Sequence, residues 1–443
     1  MIIPNRRSLS LILAIMASVL PLWAEGSAAA SAGRQLGVDD VVALALGNNA
    51  SLKQAAITLE AKRRALGLSW NEALPSLTAN AGLAQQYETG LIANSLSATG
   101  TLSLSLSLSA SFGDDMKLAR LNYESQLLSY ATTRQKVALS VRKSAYNILL
   151  DAENLKIAKQ NIERESASYA ETEAKYKAGL ASELDLLTAK VSLETLKPKA
   201  ETYATTLAND LDSLKSDLGL GTDEEIAITG SLEISGDAIR ELLAAAMTKS
   251  ESDNLSVAAA SKALAIASLT SDSLYKSKLL PSLSLSAYAE PSLPIASSGS
   301  ASSSSVTTSA TATLSLPIDN FLPGSSAQQK IAEAKDSVAI DESALKEAIE
   351  ATKVSRKSDR RSVESYQSTL AVLKLNVDLT QRAYDAAKAA YDKGLETLTE
   401  LQSAAGDLES AKLNALSKSY DLIAAILELE YETGLPLDTI GRF

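Results

Sequence analysis

The residues Thr101-Leu102-Ser103-Leu104-Ser105-Leu106-Ser107-Leu108-Ser109 alternate strictly between apolar and small polar side chains. A period of two places every Leu on one face of an extended strand, which no helix can do. The preceding segment, Ser76 to Gln86, alternates in the same way through Leu77, Ala79, Ala81 and Leu83. Two further segments repeat the pattern: Leu283, Leu285, Ala287 and Ala289 in one, and Ala310, Ala312, Leu314, Leu316 and Ile318 in the next. Each spans about ten residues, the length of a tilted strand that crosses a bilayer. No Lys or Arg occurs from Pro75 to Phe112 or from Pro281 to Phe321. A basic side chain on a lipid-facing strand costs about 2–4 kcal/mol near the midplane, so this absence fits lipid contact. A Ser- and Ala-rich soluble sheet would carry the same alternation. Four equivalent segments in two pairs favour a membrane barrel, although aromatics at the expected interfaces are few (Tyr87, Phe112, Tyr288, Phe321). Four strands cannot close a barrel, and an open edge in hydrocarbon leaves backbone groups unpaired. Other copies of the chain must therefore complete it: two copies give eight strands and a filled interior, and three give twelve and a lumen.

The pairs sit in a duplicated chain. Leu74-Pro75-Ser76-Leu77 recurs as Leu280-Pro281-Ser282-Leu283, and Tyr176-Lys177-Ala178-Gly179-Leu180 recurs as Tyr391-Asp392-Lys393-Gly394-Leu395. Each half reads as helix, Pro, strands, long helix, Gly turn, helix, Gly. Heptad stripes run through Val141, Ile148, Leu155, Ile162, Tyr169 and Tyr176, and through Val363, Leu370, Val377, Tyr384 and Tyr391. After the turns, Leu186, Leu193, Ala200, Leu207 and Leu214 are matched by Leu401, Leu408, Ala415, Leu422 and Leu429. Such a repeat argues for coiled-coil packing over a plain bundle. Helices from about Met116 to Lys177 and from Ser326 to Lys393 would be about 90 and 100 Å long. Those before each Pro, near Val41–Leu74 and Asp253–Leu280, are about 30 residues, and those after each turn about 35–40, at 1.5 Å each. One long helix therefore equals two short ones end to end, as in a cylinder where continuous helices alternate with stacked pairs. Pro198 predicts a kink or a lost hydrogen bond in its helix.

The expected organisation is a signal peptide over 1–24, a first repeat over 25–220 with strands near 76–86 and 101–112 and a turn at 176–182, and a connecting equatorial segment over 221–252. A second repeat follows over 253–434, with strands near 282–290 and 306–318 and a turn at 391–397, then a tail over 435–443. The links Tyr87–Gly100 and Glu290–Val306 are expected to be exposed loops. The signal is read from Arg6 and Arg7, an uncharged apolar run from Leu9 to Leu22 and small residues from Ala24 to Ala32. An uncleaved anchor is the alternative. Cleavage near Ala24 removes two Arg and no acid, moving the net charge from −11 to −13. The chain has no His and no Cys, which excludes imidazole and thiol catalysis, disulfides and zinc ribbons. Its acidity argues against nucleic acid. No metal, cofactor or catalytic constellation is expected.

The two turns, Tyr176-Lys177-Ala178-Gly179-Leu180-Ala181-Ser182-Glu183-Leu184-Asp185-Leu186-Leu187-Thr188-Ala189 and Tyr391-Asp392-Lys393-Gly394-Leu395-Glu396-Thr397-Leu398-Thr399-Glu400-Leu401-Gln402-Ser403-Ala404, resemble the tip motif of the TolC-like outer-membrane efflux channel family. The entry segment Leu36 to Asn49 is also similar to the family's start. The resemblance implies a homotrimer with a twelve-stranded barrel in outer-membrane lipid and a helical tunnel in the periplasm. It further implies a periplasmic adaptor at the tip and an inner-membrane pump or ABC exporter beyond it. Efflux of small toxic compounds or secretion of polypeptides is the implied task, without chemistry of its own. A non-pore periplasmic coiled-coil scaffold or adaptor is the alternative function, disfavoured by two hairpins and two strand pairs.

Site expectations follow from both sources. Gly179 and Gly394 supply the left-handed conformation that ends a helix and reverses the chain. Leu180 and Leu395 are apolar on an exposed turn, where a partner hairpin could bury them. With Ala178 and Lys393 they form the expected adaptor contact, and simple capping is an equal account of the glycines. Asp185 and Glu400 would form an acidic ring in a three-fold assembly. The resemblance places these acids, with Tyr176 and Tyr391, at the constriction. Glu396 stands where some members carry Arg, so an acidic Glu396/Glu400 pair is expected in place of an Arg lock. Solvated surface charge is the plain alternative for these acids.

Overall fold

The structure, a computed structural model, describes residues 34–87, 94–221, 223–297 and 304–437. The signal segment, the centres of the two strand links (88–93 and 298–303) and most of the tail (438–443) lie outside them. Strand β1 (Arg34–Gly37) leads into helices α1 (Val38–Asn48) and α2 (Ala50–Gly67). Strands β2 (Ser76–Tyr87) and β3 (Asn94–Leu108) precede the long helix α3 (Phe112–Lys177) and its return α4 (Glu183–Leu218). Between the halves come β4 (Ile226–Thr229) and α5 (Gly236–Thr248). The second half repeats the order with α6 (Leu255–Leu279), β5 (Ser282–Ser297), β6 (Ser305–Ser315), α7 (Ser326–Asp392) and α8 (Leu398–Thr433).

Helices α3 and α7 have 66 and 67 residues, about 100 Å each. The helix expected over Val41–Leu74 is instead two helices and a short turn. Asn49 takes an extended ψ of 131° and caps α2, its Oδ1 accepting from the N–H of Ser51 at 3.0 Å and Leu52 at 3.3 Å. A single 3₁₀ turn, Ser69–Ala73, replaces the helical end, because Leu74 precedes Pro75 and is extended at ψ 139°. Asn49 also stacks the short helices end to end: its Nδ2 donates to the last turn of α4 at Asp217 O, 3.0 Å. Asn254 does the same in the other half, capping α6 through Ser256 N and donating to Glu432 O at 2.9 Å in α8. Each stacked pair thus runs beside a continuous helix. Helix α4 continues through Pro198.

The sheet order is β2-β3-β5-β6, antiparallel throughout. Register aligns Leu77 with Leu104, Leu104 with Ala287, and Ala287 with Ala310, so the apolar residues of all four strands share one face. Ser103, Ser105, Ser284, Ser286, Thr311 and Thr313 occupy the other. The strands are longer than their sequence spans at the loop end. Strand β3 begins at Asn94, not near 101, and ends at Leu108, since Phe112 already opens α3. Strand β5 continues past Glu290 to Ser297, across Pro291 and Pro294. Most of both expected loops is therefore strand. The prolines are tolerated because the β3–β5 ladder is interrupted opposite Pro291 and shifts register between Leu96 and Ser97. The outer edges of β2 and β6 are unpaired among the described residues. At the base of the sheet Asp114, buried at the start of α3, binds Lys276 of α6 and Lys117.

The core lies midway along the two long helices. Parallel strands β1 and β4 pair there, and Leu36, Val41, Val141, Ile148, Leu214 and Ile226 pack into one cluster. Ile239 and Leu242 of α5 cover Val363, Leu422 and Ile426. The 221–252 segment thus supplies a strand and a helix that strap α3, α7 and α8. Among the described residues no helix is long and apolar enough to cross a membrane.

Candidate functional site

The hairpin tips are built alike. Helix α3 ends at Lys177, and Gly179 has φ 74°. The N–H of Leu180 bonds Lys175 O at 2.8 Å and that of Gly179 bonds Tyr176 O at 2.9 Å, satisfying the last carbonyls. At the second tip Gly394 has φ 72°, with Leu395 N on Ala390 O at 2.9 Å. No neighbour crowds either glycine, so backbone conformation alone selects it. Leu180 and Leu395 are 79 % and 78 % exposed, the most open large apolar side chains of the described chain. Ala178 and Lys393 are the C-caps.

The expected gate acids are engaged locally. Ser182 and Asp185 form a capping box: Asp185 N–H donates to Ser182 Oγ at 3.1 Å, and Asp185 Oδ2 accepts from Ser182 N–H at 3.0 Å and its hydroxyl at 2.7 Å. Those bonds, the hydroxyl's first, hold the Asp185 carboxyl below its ordinary pKa. Thr397 and Glu400 repeat the device, with Thr397 N–H on Glu400 Oε2 at 2.9 Å, its hydroxyl at 2.8 Å and Glu400 N–H on Thr397 Oγ1 at 3.2 Å. The Thr397 N–H, then its hydroxyl, then the Glu396 carboxyl lower the Glu400 pKa. Glu396, beside that carboxylate, is raised in turn. The Glu396/Glu400 pair therefore exists within one tip, while Asp185 sits in the other.

One contact joins the two tips, and its cation was not singled out from sequence. Lys175 of α3 holds its Nζ 4.5 Å from the centre of the Tyr391 ring on α7. Glu171, one turn back, pairs with the same ammonium at 2.8 Å and is the main reason its pKa is raised, with Tyr391 adding to it. The i,i+4 spacing of Glu171 and Lys175 was legible, but the aromatic partner comes from the other half. Higher up, Arg164 lies 5.2 Å from the Tyr384 ring, a second α3–α7 contact. Tyr176, the residue after Lys175 at the first tip, is 41 % exposed.

Beyond the tips, three apolar surfaces among the described residues are exposed. Leu184, Leu187 and Val191 of α4 form an exposed stripe at i, i+3, i+7, and Val372, Leu375 and Leu379 of α7 form another with the same spacing. The apolar sheet face is the third, with Leu77 66 %, Leu83 73 % and Leu314 72 % exposed. Among the described residues no group of acids could hold a metal ion.

The outer membrane efflux protein family matches over residues 41–220 and 247–434, one block for each half of the duplication. The Campylobacter jejuni CmeC outer membrane channel superposes with a TM-score of 0.74 at 18 % identity, covering 90 % of this chain and 85 % of that one. The open state of the Neisseria gonorrhoeae MtrE outer membrane channel gives 0.74 at 17 %, covering 90 % and 89 %. The Vibrio cholerae outer membrane protein VceC gives 0.68 at 14 %, covering 88 % and 95 %. No curated protein matches the sequence. Two half-length blocks in tandem, each containing one capped helical tip, account for both the duplication and the long antiparallel helices, and the chain belongs to the outer membrane efflux protein family.

Proposed function

We propose that three copies form one outer-membrane duct that passively conducts small toxic compounds or polypeptides from an inner-membrane pump or ABC exporter to the exterior. The observation that carries this reading is the open sheet: one apolar face, one polar face and two unpaired edges above a pair of 100 Å hairpins. Strands β2 and β6 run in opposite directions, so β6 of one copy can pair antiparallel with β2 of the next, giving a closed barrel of twelve. The α4 and α7 stripes then meet between copies and close the helical tube in the periplasm. The exposed Leu180 and Leu395, presented by Ala178–Gly179 and Lys393–Gly394, offer a periplasmic adaptor two equivalent apolar knobs per copy. Tyr176, Tyr391 and the acids Asp185, Glu396 and Glu400 surround the aperture. Capping leaves Asp185 and Glu400 ionised, and three-fold repetition concentrates that charge, favouring cations. The Lys175–Tyr391 contact ties the two hairpins of a copy and restrains opening.

Planar-bilayer recording of the purified protein tests this. The unmodified channel should conduct weakly, and Lys175→Ala with Tyr391→Ala should conduct more. A bilayer that stays silent with both proteins overturns the proposal. A coiled-coil scaffold without a pore would also leave the membrane fraction in carbonate, and the duct should remain.

A further inference from the structure

The chain is acidic overall, yet five of the nine residues from Lys353 to Arg361 are basic. Lys353, Arg356, Lys357, Arg360 and Arg361 follow i, i+3, i+4, i+7, i+8, which places them on one face of α7. That face lines a cavity of about 360 Å³ closed by Lys249 beyond α5 and by Leu429 and Thr433 of α8. Arg356 is anchored by neutral acceptors only, its Nε on Glu432 O and its Nη1 on Lys249 O, both at 3.1 Å. Its Nη2 is buried without an acceptor, as is Arg360 Nε, whose nearest carboxylate is Glu364 at 3.6 Å. Lys353 pairs with Glu350 at 2.8 Å. Lys249, Arg356, Lys357 and Arg361 take part in no ion pair among the described residues. Six cations and one acid, Glu251, line the wall. Of the flanking acids, Glu350 pairs with Lys353 and Glu364 lies beside Arg360, which leaves the cations in excess.

Buried guanidinium N–H groups without acceptors are costly unless an anion meets them. Guanidinium forks match tetrahedral oxyanions with two parallel bonds, and several at one site suit a dianion over chloride. We propose that this equatorial cavity is a phosphoryl-binding site, taking free phosphate or a phosphate monoester between α5, α7 and α8. Membrane lipid is not the source. Arg356 lies 30 residues along α7 from Ser326 beside the sheet, about 45 Å from it. The bound dianion cross-links the 221–252 strap to α7, joining Lys249 beyond α5 to the basic face of α7.

Calorimetric titration of the full-length detergent-solubilised protein at fixed ionic strength tests the site, with inorganic phosphate, glycerol 3-phosphate and chloride as probes. Phosphate should bind saturably and chloride should not. Arg356→Gln with Arg360→Gln should weaken it by on the order of tenfold or more, as expected for loss of charged hydrogen bonds. Lys357→Gln with Arg361→Gln, both on exposed positions that leave packing intact, should weaken it several-fold. Binding of inorganic phosphate alone assigns the free ion, and binding of both phosphates assigns the ester. Binding of neither, or equal binding by the unmodified protein and the Lys357/Arg361 variant, overturns the proposal.

Discussion

Replacing Asp151 by Asn should stabilise the protein at alkaline pH and do nothing at acid pH. Asp151, 7 % exposed on α3, meets Asp210 of α4 across the hairpin. The Asn147 amide serves both, at 3.2 Å to Asp151 Oδ2 and 2.6 Å to Asp210 Oδ2. No cation is bonded to the pair among the described residues, and the third element facing it, α8, supplies Tyr420. Burial first, then Asp210, pushes the Asp151 pKa up to about 7. The folded chain therefore binds more protons than the unfolded chain between about pH 4 and 7. Stability falls as pH rises through that window and levels off above it. At 1.36 kcal/mol per unit the full shift sets a ceiling of about 4 kcal/mol, and relaxation of the site brings the expected loss nearer about 2 kcal/mol. Asn cannot ionise and can donate to Asp210. Denaturant midpoints should coincide for the two proteins at about pH 3.5, below the window, and diverge at about pH 8, above it, with the variant higher. Parallel pH profiles would refute the reasoning.

Leu104→Arg, on the apolar sheet face, should lose about 2–4 kcal/mol of membrane stability and disappear from the outer-membrane fraction, whereas Ser103→Arg on the opposite face should be retained. Gly179→Ala with Gly394→Ala forces a side chain into left-handed backbone at about 1–2 kcal/mol each. Limited proteolysis should then cut both tips faster, and unchanged cleavage would count against the turn geometry. Asp185→Ala removes one capping box and about 1 kcal/mol of local helix stability, which hydrogen exchange over the first turn of α4 should detect as faster exchange.

The parts legible in the sequence are those set by a short repeat. Leucine at every second position fixes both strand type and face, so the register of β3 against β2 and β5 follows the alternation. The heptads locate α3, α4, α7 and α8 because packing along a tube repeats every two turns. What escaped depends on single side chains or on distant partners. The strand ends over 94–100 and 291–297 carry Gly, Thr and Pro, which break the alternation without ending the ladder. The division at Asn49 needs one amide that caps one helix while bonding another 168 residues away. At the tips, Ser-x-x-Asp and Thr-x-x-Glu read as capping signatures as readily as gate acids, and the structure shows the caps. Lys175 meets Tyr391 only after both hairpins fold, so neither half alone announces the contact.

The bare margins of β2 and β6 also bear on how such a protein is made and how it fails. A lone copy carries adhesive strand margins, so it is at risk of sticking to anything extended until sisters arrive. In the proposed three-copy barrel, insertion and assembly would be one event, and a copy whose seam is damaged would spoil every ring it joins. Mutations in these two strands should accordingly behave as dominant in a cell that also makes the intact protein.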